Sequence, residues 1–143
     1  MNNLERFLDA QENDYAAALA EIKRGKKQSH WMWYIFPQIA GLGFSSTSKF
    51  YAIRDKREAE SYPAHPVLGK RLIEISNALL TVEGKTANQI FGSPDDVKLK
   101  SSMTLFAALE DTDPVFQRVI GQIFRRRERS ENIGIDRGLK PPC

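Results

Sequence analysis

The chain has a single cysteine among its 143 residues, Cys143, and it is the last residue. A lone thiol has no partner, so disulfides take no part in folding. Histidine is nearly as scarce. Only His30 and His65 occur, and His65 has no cysteine or acidic ligand pattern near it, so no metal site is expected. The longest apolar run, Trp31 to Pro37, falls far short of a membrane span. The start, Met-Asn-Asn-Leu-Glu-Arg, lacks the basic and then apolar blocks of a signal peptide, so a cytoplasmic domain without membrane contact is expected. Sustained period-two alternation is absent, as are Asn-Gly and Asp-Gly turns, internal repeats and low-complexity segments.

What is present fits one globular domain: 41% hydrophobic and 27% charged residues in a length that normally makes a single core. The net charge of +3 invites a nucleic-acid reading, but its placement argues against one. From Arg125 onward there are six Lys or Arg and three Asp or Glu, which leaves fifteen of each sign in residues 1–124. A nucleic-acid binder gathers basic residues on its docking face. Here only Arg125-Arg126-Arg127-Glu128-Arg129 is dense, and a solvated helix end explains it. The expected organisation is a domain over 1–124 with a basic tail over 125–143.

Hydrophobic spacing predicts an all-α fold, an irregular array of short and medium helices, with a small sheet as the minor alternative. Asn3 can cap a helix from Leu4 to about Ala10, and Asn13 or Asp14 a second from Tyr15 to Arg24 that Gly25 stops. Ser29 can cap a short helix through the aromatic block, which Pro37 ends. Ser45 or Ser46 begins another, and a polar helix covers Asp55 to Tyr62. After His65-Pro66 the stripe Leu68, Leu72, Ile75, Leu79 and Val82 is the clearest core-facing pattern of the chain. Thr86 caps a turn to Phe91. The helix from Ser93-Pro94-Asp95 to about Leu109 is apolar on two sides, Val97, Leu105 and Ala108 against Leu99, Met103 and Phe106, and is expected to be central and most buried. Asp113-Pro114 opens the last helix, with Phe116, Val119, Ile120 and Ile123 inward.

The candidate site lies in Lys27 to Ser45. His30 stands before both tryptophans of the chain, and its near-neutral titration suits a general acid or base, whereas packing among aromatics is the plainer role. Trp33 or Tyr34 can stack on a ligand's ring, although some of this block must be core. Gln38 follows, and then Gly41-Leu42-Gly43-Phe44-Ser45 resembles an anion-cradling loop running into a helix start. It is neither a Walker loop nor a dinucleotide fingerprint, and a tight turn is the commoner explanation of such a run. On the long later helix Asp95, Lys98 and Ser102 fall on one stripe, with Ser101 and Thr104 close by. Polar groups on a helix apolar on two sides must pair internally or face a pocket. Ser101 or Ser102 with His30 supplies the residue types of a hydrolase, without a nucleophile elbow or an orienting acid.

Four runs carry a resemblance: His-Trp-Met-Trp-Tyr-Ile-Phe-Pro-Gln (30–38), Gly-Leu-Gly-Phe-Ser (41–45), His-Pro-Val-Leu-Gly-Lys-Arg-Leu (65–72) and Lys-Leu-Lys-Ser-Ser-Met-Thr-Leu-Phe (98–106). Over Leu4 to about Phe124 the chain resembles the bacterial domain-of-unknown-function family 1810, some members of which are labelled calpastatin. The resemblance implies a helical fold and carries no activity. Core-forming stripes throughout contradict the calpastatin label, since such inhibitors are disordered chains.

Two readings of function follow. In the first, segments 30–45 and 98–104 face each other around an anionic, ring-containing small molecule such as a nucleotide or ADP-ribose derivative. Gly41, Gly43, Ser45 and Lys98 would hold phosphate, Trp33 would stack beside Gln38, Ser101 and Thr104, and His30 or Ser102 would carry any chemistry. No separate cofactor is called for. In the second, the domain binds without chemistry, and the aromatic block is a protein-partner surface or homodimer seam.

The tail departs from the family pattern. Codons permitted for the residues after Phe124, read one base out of phase, can spell a family-like Gly-Gly-Glu-Ser-Gly-Ala-Lys-Thr-Leu ending. Residues from about Arg125 are therefore expected to derive from a frameshift. Coding DNA without such an alternative at those bases would refute this.

Overall fold

The computed structural model describes residues 4–43 and 45–124. Eight α-helices and a closing π-helical turn make up the regular structure of these residues: α1 (Glu5–Lys23), α2 (Met32–Ile35), α3 (Ser46–Tyr51), α4 (Lys56–Ala64), α5 (Leu68–Thr81), α6 (Ala87–Phe91), α7 (Asp95–Ala107) and α8 (Val115–Val119), then Ile120–Phe124. The fold is all-α. No β-strand occurs among the described residues, and the small-sheet alternative reduces to one isolated parallel bridge between Ile39 and Ile53. No described helix is long and apolar enough to cross a membrane. The Asn3 cap and the frameshift expectation for the tail lie outside the described residues.

The two helices expected before Gly25 are one. Phe7, Gln11, Ala18 and Ile22 are buried along a single continuous stripe of α1. The two shorter stripes are in phase, and Asn13 sits exposed on the far side, so nothing requires a break. Asp14 serves a distant partner instead, accepting the hydroxyl of Tyr34. Gly25 does stop the helix, with the positive φ of 78° that glycine adopts at little cost.

Elsewhere the polar punctuation works as its chemistry dictates. The Ser45 hydroxyl accepts from the Ser48 amide at 3.1 Å, Asp55 from the Glu58 amide at 2.9 Å, and Thr86 and Gln89 form a reciprocal capping box on α6. The expected stripe of α5 is buried throughout, and α1, α4 and α8 pack around that helix. Centrality therefore belongs to α5. Only one side of α7 enters the core: Leu99, Met103 and Phe106 are buried, Leu105 is half-buried, and Val97 is 60% exposed. Among the described residues no element covers the second apolar side of α7 as far as Val97.

Two buried carboxylates fix the connections. Glu58 on α4 takes a forked pair of hydrogen bonds from Arg6 on α1, at 3.0 and 3.2 Å, and a third from the Arg54 amide. Arg6 also donates to the carbonyls of Phe50 and Ala52, tying the α3–α4 connection to α1. Burial disfavours the Glu58 anion, but its hydrogen bonds and the Arg6 charge outweigh that and hold its pKa below the usual value.

Glu21 plays the same part for the aromatic block. Its oxygens accept from the amides of Gln28 and Ser29, the Ser29 hydroxyl and the indole N–H of Trp31, at 2.6 to 3.0 Å. Ser29 thus serves Glu21, and α2 starts without a side-chain cap. Burial raises the Glu21 pKa, but the four donors more than reverse this, bringing it from 4.5 to about 2. A carboxylate with a depressed folded pKa adds stability above its unfolded pKa and loses it as pH falls through the folded one. Glu21→Gln is therefore expected to destabilise the protein at pH 7, with the deficit shrinking between about pH 4.5 and about pH 2. Urea midpoints across that range test this, and a deficit constant with pH would refute it.

Candidate functional site

The Glu21 clamp turns Trp31 inward, and the rest of the block follows it. Trp31, Met32, Tyr34, Ile35 and Phe36 are core residues, with Trp31 packed near Phe36 and Phe91. Trp33 alone of the block is half-buried and faces a hollow. After Pro37 the chain is pinned by the Ile39–Ile53 bridge: the Ile53 amide donates to Gln38 O at 2.8 Å, and the Ala40 amide to Ile53 O at 2.7 Å. Residues 40–43 then lean against α3. A Cβ on Gly43 would lie 2.4 Å from the Ser48 hydroxyl oxygen, so only glycine lets the loop pack this closely.

This loop and the first half of α7 form the two walls of a groove of about 480 Å³. Trp33, Gln38, Gly43 and Ser45 line it from one side, Lys98 and Ser101 from the other. Two hollows adjoin it. One, about 100 Å³, is shared with Trp33, Gln38 and Gly43 and reaches Gly41 and Lys49. The other, about 440 Å³, continues past Leu42, Val97 and Ser101 to Lys100, Thr104 and Leu105. Among the described residues, one lysine and no carboxylate line each of the three. A separate cleft of about 350 Å³ has the opposite character, with Glu60, Glu110, Asp111 and Asp113 around it.

Most of the residues singled out in the sequence therefore meet: Trp33, Gln38, Gly43, Ser45, Lys98 and Ser101 border one groove, with Gly41 and Thr104 in the hollows beside it. The side-chain amide of Gln38 and the hydroxyl of Ser101 have no hydrogen-bond partner among the described residues. Lys98 is partly engaged. Its ammonium is 3.6 Å from Asp95 and lies over the Trp33 ring, 5.3 Å from the centroid. Asp95 is held more closely from its other side by Lys27, at 2.9 Å. The anion-cradle reading of the loop finds little support, because Ser45 and Ser48 bond to each other and α3 has only six residues.

His30 and Ser102 do not join the groove. The His30 side chain is exposed and borders none of these hollows. Ser102 is fully buried, and its hydroxyl has no hydrogen-bond partner among the described residues, hence no base to activate it. Ser102 lies on the helix face between Lys98, which lines the groove, and Phe106, which is buried, so the stripe descends into the core and Ser102 sits below the groove. Among the described residues no group of three His, Cys, Asp or Glu forms a metal site. Arg6, Glu58, Glu21 and Lys27 are the polar residues that sequence reasoning missed, and no local pattern marks them. A buried hydroxyl without a partner costs about 1–3 kcal/mol. Ser102→Ala is expected to raise stability by about 1 kcal/mol in urea unfolding, and a loss of stability would instead require a partner for that hydroxyl.

The comparisons agree with this architecture. Residues 1–134 match the family described as "Protein of unknown function (DUF1810)". A solved structure, the conserved hypothetical protein Rv1873 from Mycobacterium tuberculosis, is 39% identical, with a TM-score of 0.83, over 92% of this chain and 94% of that one. No curated protein matches the chain. The extent of the family match and the coverage of the solved relative lead to one conclusion: the chain belongs to the DUF1810 family.

Proposed function

We propose that the groove between residues 38–43 and 45–48 on one side and α7 on the other binds an anionic, ring-containing small molecule of the nucleotide or ADP-ribose kind. The observation that carries this reading is the charge of the lining: among the described residues, lysines border all three adjoining hollows and no carboxylate lines any, Asp95 lying 3.6 Å from Lys98 outside the lining. A volume of about 480 Å³ suits a mononucleotide-sized ligand. Lys98 meets the anion, Gln38 and Ser101 offer unpaired hydrogen-bonding groups, and Trp33 takes the ring as the ammonium turns from indole to anion. The reading is one of binding. With His30 and Ser102 outside the groove, it assigns no reaction.

The protein-interaction alternative loses the aromatic surface it was built on, because the block is core apart from Trp33. Its remaining basis is the exposure of Leu42 and Val97 at the groove.

Tryptophan fluorescence distinguishes the outcomes, since Trp31 is buried and Trp33 is the half-exposed reporter. AMP and ADP-ribose are expected to quench wild-type emission and raise the melting temperature. Lys98→Met is expected to weaken AMP binding about tenfold or more, because a charge-assisted bond is worth about 1.5–3 kcal/mol. Trp33→Phe is expected to abolish the quench. No change in emission or melting temperature with millimolar AMP or ADP-ribose would refute the reading.

A further inference from the structure

The groove does not end where a nucleotide would. Beyond Leu42, Val97 and Ser101 it opens into the second hollow of about 440 Å³, where Ile39 and Leu105 add aliphatic surface. Leu42 and Val97 border both spaces and are 53% and 60% exposed, in a domain that otherwise encloses most of its large apolar residues. This is the second apolar side of α7, the one that no other element among the described residues covers. Exposed aliphatic side chains on facing walls, continuous with a lysine-bearing polar chamber, are costly unless something apolar lies between them.

We propose that the ligand of the groove is a free anionic amphiphile, in which the phosphate- and ring-bearing head of the reading above also carries an aliphatic chain. The head lies at Trp33, Gln38, Lys98 and Ser101, and the chain runs between Leu42 and Val97 toward Ile39 and Leu105. The proposal rests on the reading of the groove as a small-molecule site and adds the class of molecule. Charge complementarity supports a phosphate head, because Lys98 and Lys100 line the two spaces and Asp95, the carboxylate near Lys98, stands 3.6 Å from its ammonium and is held more closely by Lys27. Size supports a single molecule, because each space lies within the range of small-ligand pockets.

The probes are octyl phosphate below its micellar concentration, inorganic phosphate, AMP, and vesicles bearing phosphate headgroups, titrated calorimetrically against the full chain. One fully buried methylene is worth about fourfold in affinity, so octyl phosphate is expected to bind at least roughly tenfold more tightly than inorganic phosphate. Leu42→Ser combined with Val97→Ser alters exposed positions and leaves the core intact. It is expected to bring octyl phosphate to within about threefold of inorganic phosphate. Equal affinity for the two phosphates in wild type, with AMP still bound and lost in Lys98→Met, would overturn the amphiphile and leave the small-molecule site standing. Tight octyl phosphate binding that survives the double substitution would place the chain elsewhere and overturn it too. So would binding to vesicles alone, or a wild-type dimer in sedimentation that the double substitution dissociates while octyl phosphate gains nothing. If neither AMP nor octyl phosphate binds, both readings fall together.

Discussion

The Arg6–Glu58 pair is the constraint on which the groove depends. Both groups are almost fully buried, and a buried charge is tolerable only when its hydrogen-bonding capacity is met. Arg6 meets that demand with the Glu58 carboxylate and the carbonyls of Phe50 and Ala52, so the chain between α3 and α4 must run past α1 in one register. That register presents Ile53 to Gln38 and Ala40, and the two bonds of the bridge set where the loop wall stands. An interaction remote from the groove in sequence thus connects, through the Ile39–Ile53 bridge, to the loop that forms one of its walls. Such a pair adds little to net stability over an apolar substitute, and its value here is in specifying a single arrangement.

Glu21 does for the other side of the loop what Arg6 does for this one. By collecting four donors from residues 28–31 it forces the backbone to turn before α2 and sends the Trp31 indole inward. The alternation of Trp31 in and Trp33 toward the hollow then follows from the geometry of the chain. Lys27, in the same turn, bonds through its amide to Ile90 O and through its ammonium to Asp95. One buried carboxylate and one lysine therefore couple α1, the aromatic block and the start of α7.

Periodicity and punctuation made most of the helices readable. The α5 stripe, the Ser45, Asp55 and Thr86 caps and the stop at Gly25 each follow from residues within one or two turns. Long-range polar pairs leave no such trace: Arg6 and Glu58 stand fifty-two positions apart, and each by itself reads as an ordinary surface charge. Asn13 and Asp14 misled for the converse reason, since good capping residues also sit on the exposed side of a continuous helix. On α7 the pattern was right and its meaning was not. An apolar side shows where water is unfavourable, but not whether the covering partner belongs to the same chain. For the candidate site, Trp33, Gln38, Gly43 and Ser45 do meet Lys98 and Ser101, but the ground for expecting it, a helix with little free surface, does not hold, since one side of α7 is open. The displacement of His30 and Ser102 was not legible, because a helix face fixes direction and leaves depth to packing.

The position of Asp95 between two lysines bears on what the groove can discriminate. Lys27 takes the closer hold of the carboxylate, and Lys98 shares it at a longer distance. Lys98 thus has a counter-ion of its own at the edge of the groove. On the proposed reading an incoming anion would exchange places with that carboxylate and gain only the difference between the two. A doubly charged phosphate would gain more from this exchange than a singly charged chloride, which would make the arrangement a filter on valence.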